Sequence, residues 1–129
     1  CAAVALRAQQ LMQERDIIGN VQKLAPLFAE RVSRMNRFSY IGHTRSIGMI
    51  GAMEFSSDPA QKTKFDAGHK IAAQAVAMIQ EHGVILRALP GDIIGFCPPL
   101  VMNESEMTDM FDRIDTALEG FTATADSLR

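Results

Sequence analysis

The sequence predicts an α+β fold, a small and mainly antiparallel sheet with helices packed on one side of it. Three observations predict it. Four stretches carry apolar residues at three- and four-residue steps, the spacing of a helix with one buried face. Between them lie shorter runs of strand-like composition, broken by glycine. Two of these runs, Val84 to Leu89 and Ile93 to Cys97, flank Pro90-Gly91-Asp92, a turn that makes them a β-hairpin.

In chain order, Ala2 to about Arg15 reads as a helix with an imperfect stripe of Val4, Leu6, Leu11 and Met12. Asn20 then offers a cap for a second helix, whose buried face is Val21, Leu24, Leu27, Phe28, Val32 and Met35. Pro26 inside it costs one backbone hydrogen bond and predicts a bend, unless the regular part starts just before it. Arg31, Arg34 and Arg37 read as a solvated face. From Ser39 to Phe55 the period changes. Tyr40 to Ile47 and Met49 to Phe55 are one kinked strand or two short ones, with Gly42, Gly48 and Gly51 marking bends or close backbone approach. Ser56 to Asp66 is a polar loop, and Asp66 caps a third helix carrying Ile71, Ala72, Ala75, Val76, Met78 and Ile79, which stops at Gly83. After the hairpin, Pro98-Pro99 ends the second strand. Asn103-Glu-Ser-Glu106 has the form of a capping box that opens a last helix, with Met107, Met110, Phe111, Ile114, Leu118 and Phe121 on its buried face and a frayed tail from Thr122.

Composition narrows the function. With 129 residues, 47% of them hydrophobic, the chain fits one domain with a real core. The net charge is -2, acidic and basic residues are interleaved and aromatics make up 6%, so nucleic acid is not an expected partner. Cys1 and Cys97 are the two cysteines, too few for a disulfide framework or a metal quartet. No apolar run approaches the roughly 20 residues that span a bilayer. These features predict a soluble, cytoplasmic protein. The opening Cys1-Ala-Ala-Val-Ala-Leu6 enters helical sequence with no initiator Met and no capping residue, which predicts a fragment of a longer polypeptide; an engineered or mature terminus is the alternative.

Self-sufficient catalysis is not written in the residues. His43, His69 and His82 share no metal-ligand spacing with one another or with Cys97, and Cys97 reads as an inert buried thiol. Lys23, Lys62, Lys64 and Lys70 fall on helix surfaces or in the polar loop, outside the apolar setting that activates a lysine. No catalytic, metal or cofactor-binding residue is assigned. Two arginines remain. Arg45, between Thr44 and Ser46, reads as structural or secondary. Arg87 is the candidate binding residue: a guanidinium among Val, Ile, Leu and Ala needs a buried anion or a cavity that an anion enters, and it suits two-point recognition of a carboxylate. An ion pair with Asp92 or Glu54 is the structural alternative.

Three stretches in register resemble the C-terminal part of class III (ω-amino acid) aminotransferases, pyridoxal-phosphate enzymes of fold type I. They are the opening Cys1-Ala-Ala-Val-Ala-Leu6 helix; Gly42-His-Thr-Arg-Ser-Ile-Gly-Met-Ile-Gly-Ala-Met-Glu54, similar to the family's Gly-x-x-Arg-Gly-x-Gly-Leu-Met; and Gly83-Val-Ile-Leu-Arg87 with Gly91-Asp92 and Pro98-Pro99-Leu100. The resemblance implies helices leading in at 1–37 and a C-terminal small domain at 38–129. It places the cofactor-bearing lysine and most phosphate contacts upstream, in the N-terminal remainder of the same enzyme, and it implies a homodimer. It gives Arg87 the role of a mobile arginine that grips a substrate carboxylate, in an enzyme passing an amino group from an amine or ω-amino acid to an α-keto acid such as pyruvate. Arg87-Ala-Leu-Pro-Gly-Asp92 is one residue longer than the family's usual Arg-x-x-Gly-Asp. Gly95 replaces the arginine of the ornithine-type branch, and Ser46 replaces a glycine. The rival reading is a stand-alone anion-binding or regulatory α+β module without catalysis. A free module should bury its helices, whereas part of a transaminase should leave the first helix and part of the sheet exposed.

Overall fold

The computed structural model describes residues 1–129. Its elements run α1 (Ala2–Glu14), α2 (Ile17–Arg34), β1 (Ile41–Ile47), β2 (Ile50–Phe55), α3 (Ile71–Glu81), β3 (Arg87–Leu89), β4 (Ile93–Phe96) and α4 (Glu104–Ser127). The strands form one antiparallel sheet in the order β1-β2-β4-β3. Helices α2, α3 and α4 cover one face, and the α+β architecture is the one the sequence predicts.

The Ser39–Phe55 region resolves into two strands. Ile47 pairs with Ile50, leaving Gly48-Met49 as a two-residue hairpin turn, and Gly48 takes the positive φ of 55° that such turns require at their first position. Side chains then alternate by the pleat. Met53, Phe55, Ile94 and Phe96 face the helices and are buried, while Ile50, Arg45 and Arg87 face away. The inner layer is aromatic: Phe28 meets Phe111 edge-on with centroids 5.6 Å apart, and Phe55 and Tyr40 pack against Phe121 at 6.4 and 5.9 Å. Burial pushes the Tyr40 phenol far above its ordinary pKa. Its hydroxyl donates to the Leu118 carbonyl at 2.6 Å, a structural use of tyrosine.

Three local expectations are corrected, and Pro26 lies inside the second helix as expected. Asp16, in the left-handed region at φ 45°, caps α2 by accepting from Gly19 N at 3.3 Å, so Asn20 lies inside the helix. Pro26 sits within a continuous α2, on its exposed side. Asp66 caps only the short 3-10 turn Ala67–His69, and the first turn of α3 instead gives Ala72 N to the Asp92 carboxylate at 3.4 Å. A carboxylate from the β3–β4 turn thus sits where the α3 dipole favours it. The C-terminal tail does not fray at Thr122: α4 continues to Ser127, because Ala125 is buried and Leu128 packs on the core.

The predicted capping box is present in full. Asn103 Oδ1 accepts from Glu106 N at 2.9 Å, and Glu106 Oε2 accepts from Asn103 N at 2.8 Å. Asn103→Ala is expected to remove about 1 kcal/mol of stability, read as a lower midpoint in urea unfolding. A midpoint unchanged from the parent would show that water replaces the cap without loss.

Arg31 also departs from expectation. Arg31 is 10% exposed at its side chain; it pairs with Asp112, reaches Asp115 at 3.4 Å and lies over the Phe111 ring. Arg37 bridges Asp115 and Glu119 at 3.1 and 3.2 Å. Arg34 and Arg37 are both exposed, as read for all three, and Arg31 is the one that is covered. The acidic face of α4 pairs with Arg31 and Arg37, fastening α2 and the segment after it to that helix.

Candidate functional site

The sheet face opposite the helices carries the candidate residues. Cross-strand pairing sets Arg45 opposite Ala52, Ala52 opposite Gly95, and Gly95 opposite Arg87. The two arginines singled out in the sequence therefore occupy one row across all four strands, at its two ends. Three strand spacings put their backbones on the order of 14 Å apart. The residues between them are small.

Arg45 donates from Nη1 to Glu54 Oε2 at 3.5 Å, and Lys64 Nζ approaches the other oxygen of Glu54 at 3.6 Å. Glu54 is thereby occupied by two cations. Asp92 is occupied too, by the amide of Ala72. Neither of the carboxylates weighed as a partner for Arg87 is paired with it, and Arg87 makes no side-chain hydrogen bond or ion pair at all. Its premise as a buried charge is corrected. β3 is only three residues long and lies at the sheet edge, and Val84 alone of the preceding run is buried, so Arg87 is exposed.

Arg87 lines a pocket of about 300 Å³ with Ile85, Leu86, Gly95, Phe96, Cys97, Pro98, Pro99 and Met110. The wall is apolar and the one cation is Arg87. Cys97, read as buried, is exposed on this wall, because Ile94 and Phe96 face the helices and the position after Phe96 falls on the outer face with Gly95. An apolar cleft with a single unpaired guanidinium suits a small molecule that has a carboxylate at one end.

Other chemistry is not assembled. Lys23, Lys62, Lys64 and Lys70 are all exposed, so these residues give pyridoxal phosphate no enclosed covalent seat, and no step of a cofactor reaction is placed on this chain. No three His, Cys, Asp or Glu side chains are grouped to hold a metal ion.

The sequence pattern of the family described as Aminotransferase class-III matches residues 1–118. This chain belongs to the class III aminotransferases. Diaminobutyrate–2-oxoglutarate transaminase of Halomonas elongata is 32% identical over 124 residues, which is 95% of this chain and 26% of that protein. Among solved structures, the ω-transferase from Vibrio fluvialis JS17 superposes with a TM-score of 0.90 at 34% identity, over 95% of this chain and 28% of that one. A PLP-bound aminotransferase mutant from Vibrio fluvialis matches with a TM-score of 0.90 at 32% identity, over 95% and 27%. This class III chain therefore spans about a quarter of the length of the relatives it matches. Its pattern of exposure fits that proportion. None of α1 is buried, Val4 is 74% exposed, and Ile47 and Ile85 stand 80% and 84% exposed on and beside the sheet. No helix is long and apolar enough to cross a membrane.

Proposed function

We propose that this chain is the C-terminal, substrate-gating part of a class III transaminase that moves an amino group from an amine or ω-amino acid to an α-keto acid such as pyruvate. Residues 38–129 form its small domain, and 1–37 lead into it. The remainder of the same polypeptide supplies the lysine and the seat for pyridoxal phosphate, the intact enzyme is a cytoplasmic homodimer, and this part alone is inactive. Pyridoxal phosphate is bound by a similar aminotransferase, and in the intact enzyme it would supply the electron sink for the exchange.

One observation carries the reading: Arg87 is a cation without a partner on an apolar pocket, while Glu54 and Asp92, the two carboxylates read as its possible partners, are engaged elsewhere. Its planar fork donates to the carboxylate of a keto acid at two points and so orients the molecule. Arg45, tied to Glu54, serves the strands. Family membership does not favour a stand-alone anion-binding module, and neither does an uncovered α1.

The test is Arg87→Ala in the intact enzyme, with turnover of pyruvate compared against turnover of an apolar amine. Loss concentrated on pyruvate supports the assignment. Equal loss on both substrates removes it.

A further inference from the structure

We propose that Asn20 is a positioning residue for the Arg87 pocket, acting through the turn that follows β4; this rests on the reading of Arg87 as a carboxylate site. Asparagine is a weak choice inside a helix, because its side chain competes for backbone groups. Here it serves a distant backbone. Asn20 Nδ2 donates to Leu100 O at 2.8 Å and to Met102 O at 3.0 Å, 80 and 82 residues away in the chain. Both partners are carbonyls, so the amide is fixed with its NH₂ group toward the turn.

The turn depends on that amide. Pro98 and Pro99 have no N–H and cannot extend the β4 ladder. Within the segment, Met102 N donates to Pro99 O at 3.1 Å and closes the turn on itself. Asn20 supplies the side-chain bonds that attach it to another element. Cys97, Pro98 and Pro99, which lead into this turn, form the wall that shares the pocket with Arg87. The position of that wall relative to the guanidinium is therefore set from α2. A keto acid held at its carboxylate by Arg87 needs the wall in place to seat the rest of the molecule, and a displacement near 1 Å is enough to matter.

Asn20→Asp tests this with almost no change of shape, since it replaces the donor by an oxygen that repels both carbonyls. It is compared with Arg87→Ala in the intact enzyme, with kcat and KM measured for pyruvate and for an apolar amine. The expected result is a KM for pyruvate raised about tenfold, with kcat and the apolar-amine KM within about twofold of the parent. If Arg87→Ala raises the pyruvate KM and Asn20→Asp leaves it unchanged, or raises both KM values together, the positioning role is overturned and the function of Arg87 stands. If Arg87→Ala itself spares pyruvate, the functional reading fails and this inference fails with it. Asn20→Ser, which shortens the side chain without adding charge, is read by the same outcomes where Asn20→Asp gives too little folded enzyme.

Discussion

Phe28→Ala is expected to destabilise the chain by about 3–5 kcal/mol. Phe28 is fully buried at the centre of the layer between α2 and the sheet, with Phe111 edge-on to its ring. Removing the ring forfeits its burial and opens a cavity that rigid neighbours cannot close. The location of that cavity gives a sharper test. A Cβ built on Gly51 would lie 3.0 and 3.1 Å from ring atoms of Phe28 and 3.3 Å from Val32, so the absent side chain of Gly51 is what allows the ring to lie against the sheet. Gly51→Ala alone should therefore be destabilising by overpacking, by about 1 kcal/mol or more. In the Phe28→Ala background the same methyl enters space the ring has left, and its cost should disappear or reverse. Urea unfolding of the two single variants and the double variant measures the coupling. Strict additivity would mean that Phe28 and Gly51 do not define each other's space.

The same pair shows what was legible in the sequence. The periodic face of α2, with Leu24, Phe28 and Val32, and the glycines of the strand region could be read separately, because each follows from local spacing. That Phe28 lies on Gly51 depends on how α2 crosses the sheet, which no local pattern states. Capping divides in the same way. The Asn103–Glu106 box is closed within four residues and was readable. Asp16 caps from a left-handed conformation that the sequence does not show, and the Asp92 contact with α3 joins residues 20 positions apart. Arg31 looked solvated because its partners lie on α4, far along the chain.

The candidate site was legible as a position on the chain and differs from the reading in burial. Arg87 stood out as the charge in an apolar run, and that contrast led to a pocket lined by apolar residues. The run did not become one long buried strand, so the expected penalty for an unpaired interior charge does not arise. What the sequence did not disclose is that Arg45 and Arg87 share a row, since the row passes through the β2–β4 pairing, whose register joins strands that are not consecutive in the chain. Nor did it single out Asn20 as anything beyond a cap, although an asparagine three residues inside a helix start was the available signal.

Arg87 carries the largest expected effect on activity, and the sign of that effect can be argued from its surroundings. In this chain the side chain is exposed, so water competes with any carboxylate and the charge-assisted bonds fall in the lower part of their range. Losing them should cost about 1.5 kcal/mol of transition-state binding for pyruvate, a fall of about tenfold in kcat/KM. An apolar amine has no group for the guanidinium to hold, and its kcat/KM should change by no more than about twofold. Arg87→Lys separates charge from shape. The ammonium keeps the attraction but loses the planar two-point grip, so an intermediate loss on pyruvate indicates that orientation contributes as well as charge. Full recovery with lysine would reduce the role of Arg87 to charge alone. If Arg87→Ala, Arg87→Lys and the parent turn over pyruvate equally well, the pocket on β3 binds no carboxylate, and the unpaired guanidinium is simply a solvated charge at the edge of the sheet.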